Sequence, residues 1–87
     1  MTIVTEQAAE LINFIIGEIV RNPAILVEED TPLVSSGLID SMALVDILDK
    51  LEDVTRMRIP AGKIKPKDMD TVRLMLVTAA RVGKPRK

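Results

Sequence analysis

Asp40-Ser41-Met42-Ala43-Leu44-Val45-Asp46-Ile47-Leu48-Asp49-Lys50-Leu51-Glu52-Asp53-Val54-Thr55 is the stretch that decides the fold of this chain. Leu44, Ile47, Leu48, Leu51 and Val54 recur at three- and four-residue intervals, the spacing of one side of an α-helix. At about 100° per residue, Met42, Asp46, Asp49 and Asp53 fall together on the opposite side. The spacing predicts a helix from Ser41 to about Thr55, apolar toward a core and acidic toward solvent. Asp40 stands where an N-cap belongs, because its carboxylate can accept an N–H that the first helical turn leaves unpaired.

The same periodicity recurs on both sides of this stretch. Upstream, Ala8, Leu11, Ile12, Ile15 and Ile19 mark a first helix from about Thr5 to Arg21, with Ile16 widening the stripe. Thr5 is its expected N-cap, and Asn22-Pro23 ends it, since a residue before proline avoids the α region. Downstream, Val72, Met75, Leu76 and Ala79 mark a last helix to about Val82. Asp68 or Asp70 can cap its start, and Gly83 and Pro85 stop it. Lys84-Pro85-Arg86-Lys87 reads as a frayed tail.

Between these helices lie two connections. Residues 22–40 contain Pro23, Pro32, Gly37 and the pair Ser35-Ser36, all unfavourable to continuous helix. They also carry Ile25, Leu26, Val27, Leu33, Val34, Leu38 and Ile39, so this loop is expected to pack across the helices. Ile59-Pro60 reads as an extended step, followed by one short helical turn over residues 61–65. Met57, Met69 and Met75 are expected to fill gaps in the core. The fold class is therefore all-α: one domain over residues 1–87, with three main helices and a short extra turn.

Composition narrows the chemistry. The chain has 87 residues, no Cys and no His, and Phe14 is its only aromatic. Disulfides, thiolate metal sites, thiol nucleophiles and a Ser-His-Asp triad are all excluded within it. No stretch has the spacing of a dedicated metal loop. The chain is not expected to act as an enzyme by itself. The first residues lack the basic and apolar regions of a signal peptide, and no apolar run approaches a membrane span, so a cytoplasmic location is expected.

Charge is divided along the chain. Eleven acids face only Arg21 and Lys50 up to Val54, whereas ten basic residues face only Asp68 and Asp70 from Thr55 onward. Such asymmetry suits either a charged partner surface or mutual attraction of two poles.

The region around Ser41 concentrates what chemistry remains. Asp40 and Ser41 deliver a hydroxyl to the first turn of a helix, where unpaired N–H groups and the helix dipole favour a nearby anion. Gly37 lets the chain turn, while Leu38 and Ile39 can anchor the loop. Taken alone, Asp40-Ser41 is an ordinary helix start.

In order and interval, several motifs extend this reading. They are Asp30-x-Pro32-Leu33, then Gly37 with Asp40-Ser41-Met42, Ile59-Pro60, and Met69-Asp70-Thr71-Val72. On these residues the chain resembles the acyl carrier protein family over nearly its whole length. Gly37-Leu38-Ile39-Asp40-Ser41-Met42 is closer to stand-alone D-alanyl and aminoacyl carriers than to the Gly-Ala-Asp-Ser-Leu of fatty-acid synthesis. The chain departs from the family in two places. Val54-Thr55 stand where an aromatic is common, and Arg56, Arg58, Lys63, Lys65 and Lys67 make the following region basic.

The resemblance implies an acyl-carrier-like bundle that works as a monomer. It implies that Ser41 receives 4'-phosphopantetheine from coenzyme A through a phosphopantetheinyl transferase. An acyl or aminoacyl group would then ride on the arm as a thioester, as in lipid or secondary metabolite biosynthesis. A loading ligase and downstream acyl-transfer enzymes would be the partners. Asp40, Met42, Asp46, Asp49 and Asp53 are the candidates for partner recognition. Neither nucleic acid nor a membrane is an expected partner on this reading.

A second reading is a non-catalytic helical interaction module whose basic C-terminal third touches nucleic acid or a membrane. It predicts binding that is independent of Ser41. The lack of aromatics among the basic residues counts against base stacking. A third, an enzyme using carboxylates alone, has the least to support it.

Overall fold

The computed structural model describes residues 5–22 and 24–85. Its first helix, α1, spans Glu6–Phe14 and runs on into a wider π-type segment, Ile15–Val20. Thr5 caps it as the sequence predicts, its hydroxyl accepting the N–H of Ala8 at 3.1 Å. At the far end the N–H of Arg21 reaches back five residues to the carbonyl of Ile16 at 2.8 Å. Arg21 itself adopts left-handed backbone, φ 58°, and ends the helix one residue before the predicted limit.

Helix α2 spans Ala43–Thr55. Where the periodicity predicts a start at Ser41, Ser41 and Met42 instead form a tighter turn. The N–H of Val45 reaches back only three residues, to the carbonyl of Met42 at 3.3 Å. Asp40 still caps this turn, accepting the N–H of Ala43 on Oδ1 at 2.9 Å. Arg56, at φ 57°, closes the helix in left-handed backbone.

The chain after α2 is held by Glu52, whose carboxylate accepts the N–H of Ile59 at 2.7 Å. Met57–Arg58 form a strand, β1, antiparallel to Lys84–Pro85, β2, with Met57 opposite Pro85 and Arg58 opposite Lys84. Lys84 and Pro85, predicted to fray, are therefore paired; Arg86 and Lys87 lie outside the described residues. Two 3-10 turns follow β1 instead of the single one predicted, Ala61–Lys63 and Pro66–Met69. Pro66 opens the second, where a missing N–H costs nothing.

Helix α3 spans Val72–Val82 and is capped by Thr71, which accepts the N–H of Leu74 at 3.0 Å. The two acids predicted as caps are engaged elsewhere. Asp68 accepts the N–H of Lys65 at 3.0 Å and so belongs to the preceding 3-10 turn. Asp70 turns to the long loop. The last turn ends at Gly83 in extended backbone, φ −69° and ψ 150°, so a left-handed cap is not what requires glycine there. A Cβ at this position would meet the carbonyl of Ala79 and the side chain of Met57.

Each of the three helices packs on the other two, around one continuous apolar cluster. Leu11 from α1, Ile15 from its π-type continuation, Ile47 and Leu51 from α2, and Met75 and Ala79 from α3 are fully buried in it. As predicted, the long loop crosses the helices: Val27, Leu33 and Ile39 are buried. Leu26 is the exception, 73% exposed. Met69 and Met75 fill the core as predicted, with Met57 half-buried beside them. The radius of gyration, 12.1 Å, matches the roughly 12 Å of a close-packed chain of this length. The result is a small all-α bundle with a minimal two-stranded ladder. Among the described residues no helix is long and apolar enough to cross a membrane.

Candidate functional site

The site around Ser41 is built by the loop that precedes it. Leu33 and Ile39 drop into the core six residues apart, and the chain between them folds into a tight arch. The N–H of Ile39 donates to the carbonyl of Leu33, and that of Gly37 to the carbonyl of Val34, both at 3.0 Å. Gly37 sits at φ 79°, a region that strains any side chain with a Cβ. Ser36 braces the arch by donating its hydroxyl to the carbonyl of Pro32 at 2.6 Å. Asp40 and Ser41 follow directly, so the arch fixes where the hydroxyl leaves the core.

Asp70 fastens the arch to the start of α3. Its Oδ1 accepts the N–H groups of Leu33, Val34 and Ser35 at 3.2, 2.8 and 2.8 Å. Its Oδ2 accepts the Ser35 hydroxyl at 2.9 Å. The N–H of Ser35, then the hydroxyl and the other two N–H groups, hold the Asp70 carboxyl below its ordinary range against the opposing effect of burial. One step along α3, Arg73 pairs with Asp30 at 2.7 Å and with Glu29 at 3.2 Å, and its N–H donates to the Glu29 carbonyl. The hydrogen bonds from Arg73 lower the Asp30 carboxyl.

Ser41 is exposed at the tip of α2, on the lip of a cleft of about 210 Å³. Leu44, Val45 and Leu48 of α2 form one wall, and Ala61, Ile64 and Met69 form the other, with Lys65 and Pro66 completing it. The cleft is smaller than the roughly 300–1,000 Å³ of a drug-sized pocket, which suits a slender apolar chain. A hydroxyl open to solvent and an apolar trough beside it fit a phosphate-linked arm on Ser41.

The opposite side of α2 is as the periodicity predicts. Asp46, Asp49 and Asp53 are exposed along it, and Met42 is 81% exposed at its head. Val45, 63% exposed, adds a second apolar side chain near Ser41 that the periodicity does not single out. The Lys50 ammonium lies 5.8 Å from the centre of the Phe14 ring, within cation–π range. Asp40 combines two places, next to Ser41 in the chain and bonded to the Ala43 N–H.

The sequence did not reveal the Asp70 clasp, the Glu52 bond to Ile59, or the cleft wall from residues 61–69. An acid just before Thr71-Val72 reads as a helix cap, and only the folded loop shows which donors it meets. No family model, curated protein or solved structure matches the chain.

Proposed function

We propose that this protein is a carrier that holds an acyl or aminoacyl group on a 4'-phosphopantetheine arm attached to Ser41. The observation that carries this reading is the exposed Ser41 hydroxyl on the lip of an apolar cleft. In the attachment step, Ser41 Oγ bonds to the pantetheine-side phosphorus of coenzyme A. The pyrophosphate bridge breaks, adenosine bisphosphate leaves, and the hydroxyl proton passes to a base of the transferase. When bound, the arm supplies the thiol that this chain lacks.

The chain's own residues do the remaining work. Leu33, Ile39 and Gly37 set the position of the hydroxyl, and Asp40 fixes the turn that presents it. Asp46, Asp49 and Asp53 give α2 an acidic face, and Met42 and Val45 offer apolar footholds beside Ser41. Such a face speeds encounter with basic partner surfaces and sets orientation more than it adds affinity. The transferase, a loading ligase and downstream acyl-transfer enzymes are the partners this reading implies, acting on a cytoplasmic monomer.

Intact mass after incubation with coenzyme A and a promiscuous phosphopantetheinyl transferase tests the proposal. One added arm that disappears in Ser41→Ala supports it. An unchanged mass across several transferases overturns it.

A second reading rests on the other end of α2. Arg56, Arg58 and Lys84 are exposed there, and among the described residues none of them forms an ion pair. Arg58 lies directly opposite Lys84 across the ladder, an arrangement that like charges disfavour. An interaction module using this basic end would bind its partner equally well as Ser41→Ala.

A further inference from the structure

The wall of the cleft facing α2 carries one unexplained charge. Most of the lining is apolar, yet it also includes Lys65, on the same cleft as Ser41. Lys65 is exposed, and among the described residues its ammonium forms no ion pair. The nearest acid in sequence, Asp68, is already engaged: it accepts the Lys65 backbone N–H and lies 3.9 Å from Arg81. Lys65 thus helps to line an apolar trough and, among the described residues, has no ion-pair partner.

We infer that Lys65 is a positioning residue that pairs with the phosphodiester on Ser41 and holds the arm against the cleft. This inference rests on the carrier reading above. A phosphate on Ser41 is anchored by its ester bond at the lip of the cleft that Lys65 helps to line. It is the anion whose place is fixed by covalency, whatever cargo the arm bears. A cation-to-phosphate pair at this wall directs the arm across Leu44, Val45 and Leu48 rather than away into solvent. Lys63 and Lys67 are also exposed, but neither lines the cleft. They serve as controls of equal charge.

Phosphorus NMR of the arm-bearing protein tests this, with intact mass first confirming that the arm is attached. A pair exposed to solvent is screened by salt, so the wild-type phosphodiester resonance should move as salt is raised. In Lys65→Gln that salt dependence should be lost. In Lys63→Gln and Lys67→Gln it should persist, and Lys65→Arg should restore it. Lys65 is exposed, and circular dichroism melts of each variant verify that the fold is intact. If the arm attaches but the resonance behaves alike in wild type and Lys65→Gln, the inference is overturned and the carrier reading stands. If no arm attaches to wild type with any transferase, the carrier reading falls and takes the inference with it.

Discussion

Asp70 grips Ser35 with both carboxylate oxygens, one on its backbone N–H at 2.8 Å and the other on its hydroxyl at 2.9 Å. Thirty-five residues separate the two in sequence. The same carboxylate also takes the N–H groups of Leu33 and Val34, so one side chain organises the arch that leads to Ser41.

Replacing that side chain should therefore loosen the whole arch. Asp70→Ala leaves several donors without their acceptor, and hydrogen bonds to charged groups contribute about 1.5–3 kcal/mol each where well shielded. This clasp is only partly buried, and water can replace some of its bonds. The expected loss is about 1–3 kcal/mol, read as a lower urea midpoint with an unchanged slope. An unaltered midpoint would show that the arch is held without the Asp70 side chain, by its buried residues and backbone hydrogen bonds, among them that of the Leu33 N–H to the Asp70 carbonyl at 2.7 Å.

Acid should act through the same carboxylate. Asp70 is held below its ordinary value of 3.8, so its contribution is fully present above that pH. It is lost as pH falls below that value, through the lowered value of the folded state. Asp30, lowered by Arg73, acts in the same direction, though its exposure makes its share small. Urea unfolding followed from neutral into acid should show wild type losing stability below about pH 4, with Asp70→Asn losing less. Equal acid sensitivity in the two would contradict the assignment.

Gly83 offers a test of packing rather than charge. Its backbone suits any residue, but a Cβ there would press on the Ala79 carbonyl and on Met57. Gly83→Ala should cost about 1–3 kcal/mol, as overpacking usually does. If it instead raised the thermal midpoint, by removing freedom from the unfolded chain, the close approach would have to relax cheaply.

The acidic face of α2 should make itself felt in rates. On the proposed carrier function, Asp46→Asn with Asp49→Asn should slow attachment of the arm to Ser41 at low salt, and the deficit should shrink as salt is raised. Stability should change little, because both residues are exposed on the face away from the core. Equal rates at all salt concentrations would remove this face from transferase docking.

Much of this architecture was legible in the order of apolar residues. Leu11 and Ile15, Ile47 and Leu51, and Val72 and Met75 all lie where helical periodicity puts a core. The apolar content of residues 22–40 foretold their burial, and Asp40 could be read as a cap because no other acid stood beside it. At the start of α3, Asp68, Asp70 and Thr71 are all good caps. The choice among them depends on donors thirty-odd residues away, which no local pattern contains. Gly83 was legible as a helix stop but not for its true reason, since the Met57 side chain arrives through a strand pairing of only two residues. The face of α2 next to Ser41 shows the same limit. Val45 reads as an ordinary helix residue until the segment at 61–69 leaves it at the rim of a cleft.

The span of the Asp70 clasp has a kinetic side. Its donors and acceptor come from opposite ends of the chain's middle section, so the loop-closure entropy between them must be met before any of its bonds can form. The clasp cannot form early as a local turn; it forms when residue 70 arrives, and it must release when residue 70 leaves. Protection against hydrogen exchange at Leu33, Val34 and Ser35 should accordingly rise and fall as one, in step with the first turn of α3. The segment that presents the Ser41 hydroxyl thus takes its rigidity from a helix more than thirty residues downstream.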